Sequence, residues 1–349
     1  MKVNLLTIHY SLNYGALLQT YATVKVLQLL GCEVTLIDFV DRNDIKERVR
    51  IKSLITNGVR WLKFCLFKRS FYPRLTKRMY SFDFFLLPEV DCYISGSDQI
   101  WNPKIVGDKL LTYMFASLKP NMKRISYASS FGLNEWDIVH NNDVKQALDN
   151  YSAISVREDS GVEICKNEFG IEAIQVLDPT LLFGDYSELI ENVKPKERIV
   201  CFKFIQDDNF FHCLDCLEAD LKLKSIIMSA FSPKMFFDKY RHCYNPSPRK
   251  WLKNIASARF VLTDSFHGLA FAIIFNKDFI VLPGHQDRTT RLSSLLDILG
   301  LSERLVLDSN DFELRKKSLY KKIDYERVNA LLSQARSDSL AYLKNALFN

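Results

Sequence analysis

The sequence of 349 residues lacks any apolar run long enough to cross a bilayer. Its runs at 269–275 and 279–282 are separated by the polar residues 276–278, whereas a transmembrane helix needs about 20 apolar residues. The chain also lacks a signal-peptide pattern, because polar residues interrupt the apolar start and no small-residue cleavage site follows. We therefore predict a cytoplasmic protein without a transmembrane helix.

The sequence also lacks the paired motifs of a zinc site. Of its eight cysteines, only Cys213 and Cys216 form a CxxC pair, and the nearby His212 and Cys243 complete it only loosely. A structural zinc site has a second such pair or a matched pair of histidines. We therefore expect packed, reduced thiols and no metal site.

The positive charge is not spread evenly. Residues 42–78 hold 12 Lys/Arg against two acidic residues, a local +10, while the remaining chain has 35 basic against 39 acidic residues, or −4. Apolar residues recur in this stretch at helical spacing, namely Ile51, Leu54, Ile55, Val59, Leu62 and Leu66. Such a segment is typical of membrane-surface contact or of binding to acidic partners. The alternative is a solvated helix whose apolar stripe packs on the domain. No nucleic-acid motif accompanies the charge, so no nucleic-acid partner is predicted.

The length and the 48% apolar content fit two globular α/β domains. Apolar runs typical of strands alternate with helical patterns, which predicts parallel sheets covered on both faces. A polar segment at 191–197 is the predicted linker. The N-terminal α/β domain is then 1–190 with the basic amphipathic insertion 42–78, and the C-terminal α/β domain is 191–349 with terminal helices. Two such Rossmann-like domains are expected to face a cleft that holds the substrates.

The segment 259–275 predicts a strand, a polar turn and a helix. Its turn carries Asp264, Ser265 and His267, followed by Gly268. The carboxyl edge of a parallel sheet is where α/β folds bind ligands, and a helix N-terminus favours an anion. The alternative is that Asp264 or Ser265 only caps the helix and His267 is a structural histidine.

A second polar turn follows the predicted strand at 92–95. Ser97, Asp98, Gln99 and Trp101 combine a hydroxyl, a carboxylate, an amide and an aromatic plane. That set suits a sugar, whose hydroxyls form hydrogen bonds with polar side chains and whose ring face stacks on an aromatic side chain. The alternative is a capped turn with Trp101 in the core.

Two further features add anion-binding capacity. Asn13 and Tyr14 begin a predicted helix, and Arg157 closes a predicted strand, where a guanidinium is a natural bidentate clamp for phosphate or carboxylate. Arg288 and Arg291 would add charge from the second domain.

Taken together, these motifs resemble the polysaccharide pyruvyl transferase family. The matching segments are Asn-Tyr-Gly-Ala-Leu-Leu-Gln from residue 13, Ser-Gly-Ser-Asp-Gln-Ile-Trp-Asn from 95, Ser-Val-Arg-Glu from 155, Asp-Pro-Thr-Leu-Leu from 178 and Thr-Asp-Ser-Phe-His-Gly from 263. They occur in order and cover most of the chain. The combination is specific, although no single piece is.

The resemblance implies a GT-B-like fold and transfer of pyruvate from phosphoenolpyruvate to a sugar as a cyclic ketal. It implies acceptors from capsule, exopolysaccharide or cell-wall polymers, often lipid-linked, which would give the basic segment the role of holding the enzyme at the inner membrane surface. The first domain would bind the acceptor through Asn13, Tyr14, Ser97, Gln99 and Trp101. Phosphoenolpyruvate is expected as co-substrate, with no cofactor and no metal.

The same resemblance assigns His267 as the acid/base and Arg157 as the anion clamp. Asp98 or Asp264 would orient His267 or activate the sugar hydroxyl. Many family members have arginine two residues before the motif histidine, where this chain has Ser265. The donor charge is then expected from Arg157 with Lys203, Arg288 or Arg291, together with the helix start at Gly268.

Two other functions stay open on the sequence alone. One is a nucleotide-sugar glycosyltransferase on the same fold, in which Arg157 and the helix start at Gly268 hold a diphosphate. The other is a non-catalytic sugar-binding or partner-binding member, which the serine at 265 makes credible.

Overall fold

The structure is a computed structural model that describes residues 1–40, 51–83, 86–136, 141–230, 239–284 and 289–349, with the backbone alone for 51–57. The chain forms two compact units. Unit 1 comprises the described parts of Met1–Lys46, Lys68–Phe183 and Ser333–Asn349. Unit 2 comprises the described parts of Glu47–Phe67 and Gly184–Leu332.

Unit 1 is built on a five-stranded parallel sheet in the order β3-β2-β1-β4-β5. Its central strands are short apolar runs buried on both faces, as parallel strands between helical layers are. A parallel pair, β6 and β7, continues the sheet through isolated bridges next to β5. The bounds are β1 Lys2–Leu6, β2 Glu33–Leu36, β3 Arg74–Leu75, β4 Cys92–Ser95, β5 Arg124–Ser126, β6 Ser155–Val156 and β7 Ile174–Gln175.

The helices of the first part of the chain are of unequal length. The two long ones are α1, Tyr14–Leu29, and α2, Ile51–Phe71, whose last turn is in unit 1 and whose preceding part is in unit 2. Helix α1 ends before Gly31, which has φ of +80° and so takes the left-handed conformation that glycine tolerates. The shorter helices are α3 Pro103–Val106, α4 Leu110–Tyr113, α5 Asn141–Leu148, α6 Asp159–Phe169 and α7 Pro179–Phe183.

Unit 2 repeats the same sheet order with its own strands, β10-β9-β8-β11-β12, all parallel. The core between this sheet and its helices is apolar and includes Phe210, Leu262 and Phe312. The strands are β8 Arg198–Phe202, β9 Lys224–Ser229, β10 His242–Tyr244, β11 Phe260–Thr263 and β12 Asp278–Val281. The helices are α8 Asp208–Leu221, α9 Pro248–Ala256, α10 Phe266–Ile274, α11 Thr289–Ile298, α12 Ser309–Leu319 and α13 Tyr325–Phe348.

In both sheets the first and fourth strands lie side by side, and the chain leaves them in opposite directions. This is the topological switch point at which open α/β sheets bind ligands, beyond the carboxyl ends of the strands. In unit 1 these ends lead to residues 7–13 and 96–102, and in unit 2 to 203–207 and 264–265. The predicted site segments at 95–102 and 263–268 therefore lie at equivalent positions of the two sheets.

The division into units differs in detail from a single boundary at residue 190. The described part of α2 before Lys68 clusters with unit 2, and the last 17 residues, Ser333–Asn349, cluster with unit 1. Helix α13 thus contributes to both units. Among the described helices none is both long and apolar enough to span a membrane.

Candidate functional site

The unit 2 edge is built where β11 ends and α10 begins. Ser265 is the N-cap of α10, and its Oγ accepts a hydrogen bond from the backbone N–H of Gly268 at 3.3 Å. Thr263 fixes the turn, because its hydroxyl donates to the carbonyl of Phe202 and accepts from the N–H of Ser265. The predicted strand, turn and helix are therefore present, and Ser265 has the capping role that the sequence left open.

Gly268 is required by a close approach of the helix to the strand. A Cβ at this position would lie 2.3 Å from the Thr263 hydroxyl oxygen and 3.2 Å from the Thr263 Cβ. Any larger residue would push the start of α10 away from the sheet. The glycine thus keeps the backbone N–H groups of the first helical turn at the unit 2 edge, where the helix dipole favours an anion.

Asp264 joins the two loops of the switch point. Its carboxylate accepts hydrogen bonds from the N–H of Phe204, at 2.9 and 3.1 Å, and from the N–H of Ile205 at 3.1 Å. The side chain is 2% exposed. Asp264 therefore holds the loop after β8 against the loop after β11, and in this geometry it is an anchoring residue rather than an open acid or base.

Lys203 is the buried cation of the unit 2 edge. Its Nζ donates to the carbonyl of Leu282 at 2.6 Å and lies 3.9 Å from Asp264 Oδ2. Burial lowers the pKa of Lys203, while the Asp264 charge works to raise it. Lys203 thus places an amine at a part of the unit 2 edge from which water is largely removed, where its protonated form is a partner for an anion.

His267 is the second residue of α10 and is 7% exposed. Its ring meets that of Phe266 edge to face, with centroids 5.3 Å apart. Helix α10 is apolar all round and buried, so this imidazole is held at the helix start by a rigid element. The structure thus brings His267, Ser265 and Asp264 to the same sheet edge as Lys203.

The two predicted arginines of unit 2 have different outcomes. Arg291 lies half-buried in the first turn of α11, the helix that follows β12. Arg288 lies outside the described residues.

At the unit 1 edge, Arg157 is the centre of a buried ion-pair cluster. Its Nη1 donates to Asp178 Oδ2 at 2.9 Å, its Nη2 lies 3.7 Å from Asp98 Oδ1, and its Nε lies 3.9 Å from Glu158 Oε2. Burial would lower the pKa of Arg157, but the three carboxylates outweigh it and raise the pKa. The prediction of an anion clamp needs correction, because three negative groups already surround this guanidinium.

Asp178 and Glu158 are the buried partners that sequence reasoning missed. Asp178 Oδ2 also accepts from Ser97 Oγ at 3.0 Å, and its Oδ1 accepts from the N–H and hydroxyl of Thr180. Glu158 Oε1 accepts from the Ser130 hydroxyl and the Gly132 N–H, each at 2.9 Å. An aspartate before proline is a typical helix start, so the Asp-Pro-Thr segment offered a signal for Asp178.

The turn at 96–102 is strained at Asp98, which has φ of +78°. Its Oδ1 accepts from the N–H of Gln99 at 3.0 Å, and the Gln99 amide fills the space that a Cβ on Gly132 would need. Trp101 is fully buried and packs against Phe131, with ring centroids 5.4 Å apart. The predicted acceptor platform at Trp101 is therefore wrong, because the ring is part of the core.

The first motif of the chain is largely structural. Asn13 is the exposed N-cap of α1, with its Oδ1 accepting from Gly15 N at 2.8 Å. Tyr14 is buried, and buried Gln19 donates to Thr7 Oγ1 at 2.9 Å. Asn13 alone of the predicted pair lies open to a ligand, so a role for Tyr14 in acceptor contact is not favoured.

Sequence reasoning also missed a buried histidine after β1. His9 Nε2 lies 3.0 Å from Asp38 Oδ1, and Nδ1 lies 3.2 Å from the carbonyl oxygen of Thr7. Burial lowers the pKa of His9. The other Asp38 oxygen accepts from Arg78 Nε at 2.9 Å. Both ring nitrogens face protein acceptors, so His9 ties the loops after β1 and β2 together.

Helix α2 carries an exposed apolar face within the basic segment. Val59, Leu62 and Leu66 are each more than half exposed, and Trp61 is 50% exposed beside them. Phe64 and Phe67, together with the hydrogen bond from Lys63 Nζ to the carbonyl of Asn245, tie the opposite side of this helix to unit 2. One side of the helix therefore packs and the other is exposed, and membrane contact stays a prediction.

The solved structures that resemble the chain define its fold. UDP-GlcNAc 2-epimerase from Neisseria meningitidis, bound to UDP-GlcNAc, is 11% identical, with 99% of this chain and 100% of that chain covered and a TM-score of 0.57. The S. aureus MnaA–UDP structure gives 12% identity, 98% and 94% coverage and a TM-score of 0.55. Arabidopsis thaliana UGT89C1 gives 12%, 99% of each chain and 0.53. The chain therefore has a GT-B-type fold of two Rossmann-like α/β units, as predicted.

The family follows from the sequence comparison. The polysaccharide pyruvyl transferase profile matches residues 13–286, which include all five of the matching segments from residue 13 to residue 268. The chain belongs to the polysaccharide pyruvyl transferase family, and it is a transferase by that membership. Among curated proteins no match is found.

Proposed function

We propose that this protein transfers the enolpyruvyl group of phosphoenolpyruvate to a sugar of a capsular or exopolysaccharide precursor and forms a cyclic pyruvate ketal. The observation that carries the proposal is the unit 2 edge, where a buried histidine in the first turn of a helix and a buried lysine lie at the same topological switch point. Family membership supplies the reaction class.

The donor is proposed to bind at the unit 2 edge. Phosphoenolpyruvate carries a phosphate and a carboxylate, and both need positive partners. The Lys203 ammonium and the positive dipole end of α10 supply such partners. Ser265 is uncharged and uses its hydroxyl to cap α10. The positive charge that an arginine at this position would bring is supplied instead by Lys203, Arg291 and the helix dipole.

The acceptor is proposed to bind at the unit 1 edge. The Arg157 cluster holds three carboxylates and one guanidinium, an environment that repels anions and suits neutral hydroxyl groups. Ser97 donates to Asp178, while Asp98, Gln99 and Asn13 remain at least partly exposed. Asp98 is the residue proposed to accept a hydrogen bond from the sugar hydroxyl that attacks.

The chemistry assigns His267 two proton transfers. As an acid it protonates the methylene carbon of phosphoenolpyruvate, which leaves the neighbouring carbon electron-poor. One sugar hydroxyl attacks that carbon, phosphate leaves, and a second hydroxyl closes the ketal. One hydroxyl proton restores His267, and the other leaves with phosphate. Lys203 and the start of α10 stabilise the departing phosphate.

A second candidate is a nucleotide-sugar transferase. The observation that favours it is the set of GT-B-type structures above, two of which hold UDP or UDP-GlcNAc. In that function the start of α10 would hold a diphosphate. Thermal protection by a nucleotide sugar, without protection by phosphoenolpyruvate, would favour this second candidate.

The deciding experiment is an assay with phosphoenolpyruvate and a panel of aryl or lipid-linked galactosides and N-acetylmannosaminides. We expect phosphate release together with an acceptor mass increased by one pyruvate ketal. His267→Ala should abolish both. His242→Gln, which changes a half-buried histidine of β10, is the matched control and should retain them. Phosphate release without ketal, or equal activity in the two variants, would contradict the assignment. A non-catalytic sugar-binding member would be recognised by a different result: ligand binding would be unchanged in His267→Ala.

We also propose that α2 brings the enzyme to an anionic membrane surface that carries a lipid-linked acceptor. Val59, Leu62 and Leu66 form an exposed apolar face within a segment of net charge +10. Such a face inserts at the lipid boundary while the basic residues meet the headgroups. Leu62→Ser with Leu66→Ser should weaken co-sedimentation with vesicles that contain phosphatidylglycerol. Leu314→Ser on α12, a leucine that is even more exposed but lies outside the basic segment, is the control. Equal binding by all three proteins would remove the proposal.

A further inference from the structure

A three-residue cluster on unit 2 has the composition and spacing of a metal site. His212 and Cys216 lie one turn apart on α8, and Glu313 faces them from α12. His212 Nε2 is 2.9 Å from Glu313 Oε1, Cys216 Sγ is 3.2 Å from the same oxygen, and Sγ is 3.8 Å from Nε2. Only one cysteine of the CxxC pair belongs to this cluster, because Cys213 is buried in the core while Cys216 points to Glu313.

These three separations match the edges of a coordination tetrahedron. Zinc binds imidazole nitrogen, carboxylate oxygen and thiolate sulfur at about 2.0 to 2.3 Å, which places neighbouring ligand atoms roughly 3.3 to 3.6 Å apart. The cluster differs from that by a few tenths of an ångström. A shift of this size needs only small side-chain rotations on His212 and Glu313, both of which are partly exposed.

The two helices hold the cluster in place without an ion. At one end, Asn209 Oδ1 accepts from the N–H and hydroxyl of Ser309. At the other end, the Tyr320 hydroxyl donates to Asp220 Oδ2 at 2.8 Å. Helices α8 and α12 are thus tied on both sides of the cluster. The ligand atoms would lose little conformational freedom on binding an ion.

The surrounding charge suits a divalent cation. Lys316 Nζ donates to Glu313 Oε2 at 2.9 Å and lies 3.6 Å from Asp220. It orients the Glu313 carboxylate so that Oε1 faces His212 and Cys216, a supporting contact of the kind that metal ligands have. With Cys216 as thiolate, the group of Glu313, Asp220, Cys216 and Lys316 has a net charge of −2. A divalent ion neutralises it.

We propose that His212, Cys216 and Glu313 bind one zinc-class divalent ion between α8 and α12. Without the ion, His212 Nε2 and Cys216 Sγ both lie within hydrogen-bond distance of the single oxygen Glu313 Oε1. The ion replaces the thiol proton, and water completes the fourth position. The site takes no part in pyruvyl transfer, so its test is separate from the proposed function.

The test is titration of the full-length, reduced protein with Co²⁺, followed by displacement with Zn²⁺. We expect one Co²⁺ per chain with a thiolate charge-transfer band and the visible bands of tetrahedral cobalt. Zn²⁺ should remove them and raise the melting temperature. Cys216→Ala should lose the charge-transfer band, and Glu313→Gln, an exposed change that leaves the fold intact, should weaken binding at least about tenfold.

Cys65→Ala is the matched control, because Cys65 is a half-buried thiol of α2 outside the cluster. It should bind Co²⁺ as the wild type does. The proposal is overturned if the wild type shows no saturable cobalt band at micromolar protein. It is also overturned if Cys216→Ala keeps the band, or if Cys65→Ala loses it.

Discussion

The two sheets have the same strand order, yet their carboxyl edges carry opposite chemistry. At the unit 1 edge the guanidinium of Arg157 is faced by Asp98, Glu158 and Asp178, so carboxylates predominate. At the unit 2 edge the carboxylate of Asp264 is used by backbone N–H groups and that of Asp207 caps α8, while Lys203 and the start of α10, with His267, lie at the same edge.

The difference shows that one strand order can carry different side-chain chemistry in the loops at its carboxyl edge. An edge rich in carboxylates disfavours an anionic donor and accommodates hydroxyl groups. An edge with a lysine, an imidazole and the positive end of a helix dipole favours a phosphate. This contrast is the physical basis for placing the donor with unit 2 and the acceptor with unit 1.

The largest expected effect comes from breaking the unit 1 cluster. Arg157→Leu leaves the buried carboxylates of Glu158 and Asp178 without their cation, and we expect a loss of about 3–5 kcal/mol in the free energy of unfolding, measured by urea denaturation. Arg259→Leu removes an exposed pair with Glu197 and should cost less than about 1 kcal/mol. A stable Arg157→Leu protein that no longer binds phosphoenolpyruvate would show that Arg157 binds the anionic donor after all, and would place the donor at the unit 1 edge.

The next effect concerns the close approach at the unit 2 edge. Gly268→Ala places a Cβ against the Thr263 hydroxyl, which is fixed by its bond to Phe202, and should destabilise the protein by about 1–3 kcal/mol. Gly58→Ala is the matched change in helix α2, where nothing lies within 4 Å of the added Cβ. It should stabilise by about 0.5–1 kcal/mol. Equal thermal shifts for both would mean that α10 can move away from the sheet freely.

A smaller effect compares the two helix caps. Asn13→Ala removes the cap of α1 and Ser265→Ala that of α10, and each should cost about 1 kcal/mol in denaturant unfolding. The comparison is sharpened by function: only Ser265→Ala should change the affinity for phosphoenolpyruvate, because only α10 begins at the donor edge. A matching affinity loss in Asn13→Ala would place the donor at unit 1.

The smallest effect is visible only at alkaline pH. Lysine is positive when protonated, and burial lowers the pKa of Lys203 from 10.5, so its help in donor binding is lost as the pH rises through that lowered value. Asp264→Asn removes the charge that opposes this lowering and should shift the loss to lower pH. Lys203→Arg should abolish it, since arginine stays charged. Calorimetric affinities between about pH 7 and 10 report the result. An unchanged profile in Lys203→Arg would exclude Lys203 from the donor site.

The alternation of strands and helices and the turn at 263–268 follow from the sequence, because apolar runs and cap residues are local signals, whereas the GT-B-type fold is implied by the family resemblance. Ser265, Gly268 and Asn13 could be placed for the same reason. The helix N-caps depend only on residues two or three positions apart.

The environments of Arg157 and Trp101 could not be derived in this way. The partners of Arg157 come from 21 and 59 positions away, at Asp178 and Asp98, and meet only because the sheet brings three loops to one edge. Trp101 is covered by Phe131 and Tyr151, which belong to later segments. Burial of a side chain depends on such distant neighbours, so a polar motif around a tryptophan does not reveal that its ring is inside.

The most direct test of the contrast between the edges is hydrogen–deuterium exchange of the protein with and without phosphoenolpyruvate. We predict slower exchange of the backbone amides in 203–205 and 264–268, with 96–102 and 157–158 unchanged until an acceptor sugar is added. Slower exchange at 157–158 on addition of phosphoenolpyruvate alone, with no change at 264–268, would contradict the placement of the donor with unit 2.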